Sequence, residues 1–206
     1  MSVTTIPTAG IANDAVDNTK LDLTSNYAFT GTVTGTSDAV LISSASGGGT
    51  GTLAFDGCFT STYRNYLIMA SISLDATAVC YIRLQNSSNQ EIATNYFNAG
   101  DNSHIAAAGA SGFNGGSWSV NQINIGNNIL ANNPHASFQL FVFNPTDSNM
   151  KTIVHTAYYC QDDDSKIKSV RMSSIYDTNS NDTGIRFVTQ SGNIKTTSKF
   201  KIYGLK

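Results

Sequence analysis

Alternation with a period of two residues dominates this chain. Between Tyr63 and Leu74, the residues Tyr66, Ile68, Ala70, Ile72 and Leu74 fall on one side, with Asn65, Ser71 and Ser73 on the other. Ala78–Gln85 repeats the scheme, with Ala78, Cys80, Ile82 and Leu84 on the inward side and Arg83 and Gln85 outward. Successive side chains of a strand point to opposite faces, so this pattern specifies strands with one dry face. Ser137–Phe143 is apolar on both sides, which places it centrally in a sheet. Turn signals separate the runs: Ser46-Gly47-Gly48-Gly49-Thr50-Gly51, Asn144-Pro145-Thr146-Asp147 and the acidic stretch Gln161–Ser165. Further strands are expected over Ala39–Ser44, Thr52–Phe59, Glu91–Phe97, Lys151–Cys160, Ile167–Tyr176, Gly184–Thr189 and Ser198–Gly204. Ser117–Ile123 and Ile125–Leu130 are weaker candidates in a region, residues 98–135, rich in Gly, Asn, Ser and Ala. The sum is roughly nine to eleven short strands with little helix, the signature of an all-β, jelly-roll-like sandwich.

Composition agrees. Of 206 residues, 40% are hydrophobic, enough for a substantial core, but only 13% are charged. That is about half the usual share. The surface is therefore built from Asn, Ser, Thr and Gly, which suits turns and strands better than helices carrying Glu and Lys. Net charge is −2 with no basic run, so the electrostatic footprint of a nucleic-acid binder is missing. No run of about 18 apolar residues suggests membrane insertion. The opening residues lack the basic start and apolar middle of a signal peptide, so the expected origin is a cytoplasm, with release by lysis. Cys58, Cys80 and Cys160 have neither disulfide nor zinc spacing and read as reduced core thiols.

The leading segment differs from the rest. Ile6, Ile11, Val16 and Leu21 recur at intervals of five, which fits neither helix nor strand. Leu21–Gly35 then alternates, with Leu21, Leu23, Tyr27, Phe29 and Val33 on one side. One extended strand cannot bury its own apolar face. Three copies around an axis would shelter it, as would a groove on another protein; folding back onto its own domain is the alternative. Residues 1–38 are read as an anchoring and trimerisation arm carrying Ile6, Ile11, Val16, Leu21, Leu23, Tyr27, Phe29 and Val33, and residues 39–206 as the sandwich head.

Catalytic chemistry is not signalled. His104, His135 and His155 are scattered without metal-ligand spacing, and no phosphate-binding loop or nucleophile elbow occurs. No cofactor or metal is expected. Asp162-Asp163-Asp164 reads as a solvated turn, and a hydrolase would need such carboxylates to converge with Asp177 in a cleft. Asp177–Asp182 begins like an EF-hand loop, but Asp182 stands where glycine is needed and Val188 where the bidentate glutamate belongs. Tyr96 and Trp118, with Asn95 and Asn98 nearby, are the candidate contacts for a host-surface glycan, because rings stack on sugar C–H faces and amides bond hydroxyls. The competing reading puts such rings in the core.

Four passages resemble fibre and decoration proteins of tailed bacteriophages, particularly those of marine and cyanobacterial hosts. Ile11-Ala12-Asn13-Asp14-Ala15-Val16 with Lys20-Leu21 looks like the entry segment of such fibres, and Asn26-Tyr27-Ala28-Phe29-Thr30-Gly31-Thr32-Val33 like the strand leading into their heads. Phe55-Asp56-Gly57 with Tyr63-Arg64-Asn65-Tyr66-Leu67-Ile68 resembles the head's opening strands, and Lys201-Ile202-Tyr203-Gly204-Leu205-Lys206 its last. The resemblance implies a non-enzymatic homotrimer in the virion. The arm would dock on capsid or tail proteins, and the head would project outward as a capsid decoration, head fibre or short tail-fibre component.

Overall fold

A computed structural model describes residues 38–106, 109–131, 136–161 and 167–206. The arm residues Ile6, Ile11, Val16, Leu21, Leu23, Tyr27, Phe29 and Val33 lie outside the described residues, as does Asp162-Asp163-Asp164.

The alternating runs become strands. Twelve are present among the described residues, without a helix: β1 (Ala39–Ser46), β2 (Thr52–Phe55), β3 (Asn65–Ile72), β4 (Ala78–Gln85), β5 (Tyr96–Ala106), β6 (Gly109–Val120), β7 (Ile123–Ile129), β8 (Ala136–Phe143), β9 (Lys151–Gln161), β10 (Ile167–Asn179), β11 (Gly184–Thr189) and β12 (Lys199–Leu205). They form two antiparallel sheets. The larger has the order β1-β12-β3-β8-β9-β10-β5-β6 and the smaller β2-β11-β4-β7. Within them β1 pairs with β12, β2 with β11, β3 with β8 and β4 with β7. The remaining four strands are hairpins, β5-β6 and β9-β10, that widen the larger sheet. β8 is central, as its two-sided apolar character requires.

The core lies between the sheets. Tyr66, Ile68 and Ile72 of β3, Leu140 and Val142 of β8, and Phe200 and Ile202 of β12 face Cys80, Ile82 and Leu84 of β4 and Phe187 of β11, all essentially inaccessible. Phe200 touches Phe187 at 4.9 Å and Phe55 at 6.0 Å between ring centroids, joining the two layers. Gln85 departs from its expected outward position: it is fully buried, and its side-chain amide donates to Asp56 Oδ1 at 2.8 Å and to the Asn89 carbonyl at 3.0 Å. Cys58 and Cys80 are buried free thiols, each pushed by burial to about 12, and so inert as nucleophiles.

Two local devices lock the passages that suggested a head domain. The Tyr66 hydroxyl donates to the Thr60 carbonyl at 2.8 Å and accepts from the Thr60 amide at 2.6 Å, pinning the loop before β3. The ring of Tyr63 lies over Gly204, where a Cβ would overlap the ring carbons. At the β8–β9 turn, Asn144 takes a positive φ of 54°, and its Oδ1 accepts from Arg64 Nε at 2.9 Å.

Tyr66→Phe is expected to lose about 1–2 kcal/mol, the net worth of hydrogen bonds left unmade in a buried site. Gly204→Ala is expected to lose about 1–3 kcal/mol by overpacking against Tyr63. Urea denaturation of each variant checks both.

Candidate functional site

Strand parity fixes what the outer face of the larger sheet displays. With odd- or even-numbered residues committed to the core, the others must point away from the smaller sheet. The observed register aligns these outward residues into rows running across the strands. One row reads Leu205, Asn65, Phe143, Ile153, Ile175 and Phe97 from β12 to β5, and the next reads Leu41, Tyr203, Leu67, Phe141, His155, Ser173 and Ala99 from β1 to β5. The following row is Ser44, Lys201, Met69, Gln139, Ala157, Arg171 and Asp101, and beyond it lie Lys199, Ser71, Ser137, Tyr159 and Ser169. The face is thus divided across the strand direction. Its first two rows are largely aliphatic and aromatic, and its last two are largely polar and cationic.

The apolar half is incompletely covered. Leu41 is 52% exposed, and Leu67, Phe141, Phe143, Ile153, Tyr203 and Leu205 are each partly exposed. Phe141 and Phe143 stack at 6.3 Å between centroids, and Phe143 meets the edge of His155 at 5.4 Å. Contiguous surface of this kind marks interaction sites. The chain enters beside it: the carbonyl of Asp38, just before β1, accepts from the amide of Lys206 at 3.0 Å.

Two adjoining clefts run along the polar half, the first reaching across into the second row. One, of about 350 Å3, is lined by Gln139, Phe141, His155, Ala157, Arg171, Ser173, Ala99 and Asp101, among others. The short side chains of Ala99, Ala157 and Ser173 leave the depression between taller neighbours. His155 Nδ1 and Ser173 Oγ lie 2.9 Å apart, within hydrogen-bonding distance. The second cleft, of about 440 Å3, shares Gln139 and Ala157 with the first and continues past Met69, Ser71, Ser137 and Tyr159 to Lys199 and Lys201. A serine hydrolase needs an acid behind its histidine. Among the described residues no carboxylate hydrogen-bonds to His155, and no group of three metal-ligating side chains occurs.

Of the two expected glycan contacts, the structure describes the side chain of Tyr96. Tyr96 is fully buried on the inner face, its hydroxyl donating to the Ile92 carbonyl at 2.9 Å and accepting from the Leu84 amide at 2.9 Å. Burial pushes its phenol well above the usual range, and its ring packs on Tyr176 at 5.3 Å. It is a core residue and is not available to a sugar. Trp118 belongs to β6, but its side chain lies outside the described residues. The groups that do converge, Gln139, His155, Arg171 and Asp101, come from the consecutive strands β8, β9 and β10 and from the distant β5. The register that gathers them is not visible in the sequence.

Two other carboxylates have side-chain partners. Glu91 accepts from Arg83 and Arg186, each at 2.7 Å. Burial would raise its carboxyl, but the two guanidinium groups outweigh this and hold it below the usual range. Asp182, at the position where an EF-hand needs glycine, is buried. Thr152 Oγ1 donates to it at 2.6 Å and Ser180 Oγ at 2.7 Å. Burial dominates over these hydroxyls and raises its pKa.

No protein-family model matches the chain, and no curated protein matches it.

The raised pKa of Asp182 has a definite sign. Its stabilising contribution is complete below the unfolded value of about 3.9 and is lost as pH rises through the folded one. Asp182→Asn removes this titration. The variant is expected to gain stability on the parent as pH rises from 3 to 7, read by urea midpoints, with the two converging again in acid.

Proposed function

We propose that the chain is a self-associating structural protein of a phage particle, whose head is a jelly roll displayed on the particle surface. The nested pairing of the fold supports the jelly-roll reading: first strand with last, second with next-to-last, then β3 with β8 and β4 with β7, the two added hairpins set aside. The observation that carries the functional reading is the apolar half of the outer face, Leu41, Leu67, Phe141, Phe143, Tyr203 and Leu205, lying on the larger sheet whose edge strand, β1, the leading segment enters.

Physically, an apolar sheet face is an aggregation hazard unless a partner covers it. Closed symmetry gives every copy the same cover and ends the association at a fixed number. With residues 1–38 as the arm, a homotrimer gives the arm's alternating side chains a shelter, and contact between heads covers the apolar rows. At about 25 cal/mol per Å2 of apolar surface, a few such side chains from each copy contribute many kcal/mol. The polar Asn-, Ser- and Thr-rich remainder suits a shell that faces the medium. The role is non-catalytic, with the arm contacting capsid or tail proteins.

Native mass measurement tests this. The full chain is expected at trimer mass, and the chain lacking residues 1–38 at a lower mass. Leu41→Lys combined with Leu67→Lys is expected to weaken association at least tenfold while keeping the parent's thermal melting. A full chain that is monomeric at every concentration overturns the assembly. An antibody raised against the head is expected to decorate intact particles of the encoding phage, and label found only on unassembled protein overturns the virion assignment.

A further inference from the structure

We propose that the polar half of the outer face is a binding trough for an anionic polysaccharide strand. The two clefts join through Gln139 and Ala157 and cross β12-β3-β8-β9-β10-β5. Six strands at a spacing of about 4.8 Å make a path about 24 Å long, room for several sugar rings.

The chemistry along this path selects the ligand. Its charged side chains are Lys199, Lys201 and Arg171 against Asp101, a cationic balance on a chain whose net charge is −2. Lys199 Nζ donates to Ser46 Oγ at 2.7 Å. Arg171 and Lys201 have no hydrogen-bond or ion-pair partner among the described residues, so both are available to carboxylate or sulfate groups. Arg171 offers the planar fork that pairs with a carboxylate through two parallel bonds. Gln139 and His155 offer side-chain hydrogen-bonding groups for hydroxyls, and Ala157 leaves a shallow base where a ring can lie. Tyr159, 49% exposed on the rim, is placed to pack on a sugar C–H face. Three cations over this length suit a sparsely charged sugar chain better than a nucleic acid, which carries a phosphate at every residue and is held by rows of stacking rings.

This inference does not depend on self-association, and one set of samples separates the two. Isothermal titration of the full chain is run with alginate, polygalacturonate and carrageenan oligomers, with neutral maltohexaose, and with a dT12 strand, while native mass is recorded in parallel. At least one anionic oligosaccharide is expected to bind, weakening as salt rises, with maltohexaose and dT12 at least tenfold poorer. Arg171→Ala is expected to lower that affinity at least tenfold and Lys201→Ala severalfold, each with unchanged mass and melting temperature. Arg171→Lys is expected to recover only part of the loss, because it keeps the charge and forfeits the fork. Absence of binding to every anionic oligosaccharide, equal binding of dT12, or affinity indifferent to Arg171 overturns the trough while leaving the assembly reading standing.

Discussion

The meeting of Phe55, Phe187 and Phe200 between the two sheets is the contact on which the rest of the structure depends. Phe200 sits on β12, hydrogen-bonded between β1 and β3, while Phe55 and Phe187 come from the neighbouring strands β2 and β11 of the other layer. Each ring removed from water is worth roughly 1.5–3 kcal/mol. More important than the sum is the commitment of parity. Once Phe200 and Ile202 face inward, Lys199, Lys201 and Tyr203 must face outward, and the same holds on each strand paired in register with β12.

That commitment creates the division of the outer face. Leu67 and Met69 lie two residues apart on one strand, yet their rows differ in character, because Leu67 aligns with Tyr203 and Phe141 and Met69 with Lys201 and Gln139. The sheet thereby carries a dry half and a wet half side by side. The dry half suits contact between copies and the wet half a hydrated, charged ligand. Neither needs a loop to build it, and apart from the β1 residues both rest on strands paired on two sides.

Much of the fold was legible in the chain, and the reason is that alternation is local. Ala78–Gln85 and Gly184–Thr189 are strands over the expected bounds, because each carries its own apolar period and its own turn signals. β5 and β6 were the hard case. Residues 98–106 and 109–120 offer glycine, asparagine and serine with little apolar period, and they are extended because β5 pairs along its length with β10 and β6 with β5. Gln85 looked like surface because it is polar, but Asp56 and Asn89, distant and near in sequence, accept from its side-chain NH2 inside, while its Oε1 has no partner among the described residues. Tyr96 looked like a sugar platform because asparagines flank it, while its parity sends the ring inward against Tyr176. The trough itself was illegible, since its members meet only through the pairing of β8, β9, β10 and β5.

β8 holds Phe138, Leu140 and Val142 inside while presenting Gln139 and Phe141 outside. Deleting or adding a single residue within it would trade these sets, putting an amide in the oil and bare hydrocarbon in the groove. Point replacement at outward positions leaves the inward set untouched. Descendants of this chain can thus retune what the face recognises one side chain at a time, whereas changes of length are confined to the turns.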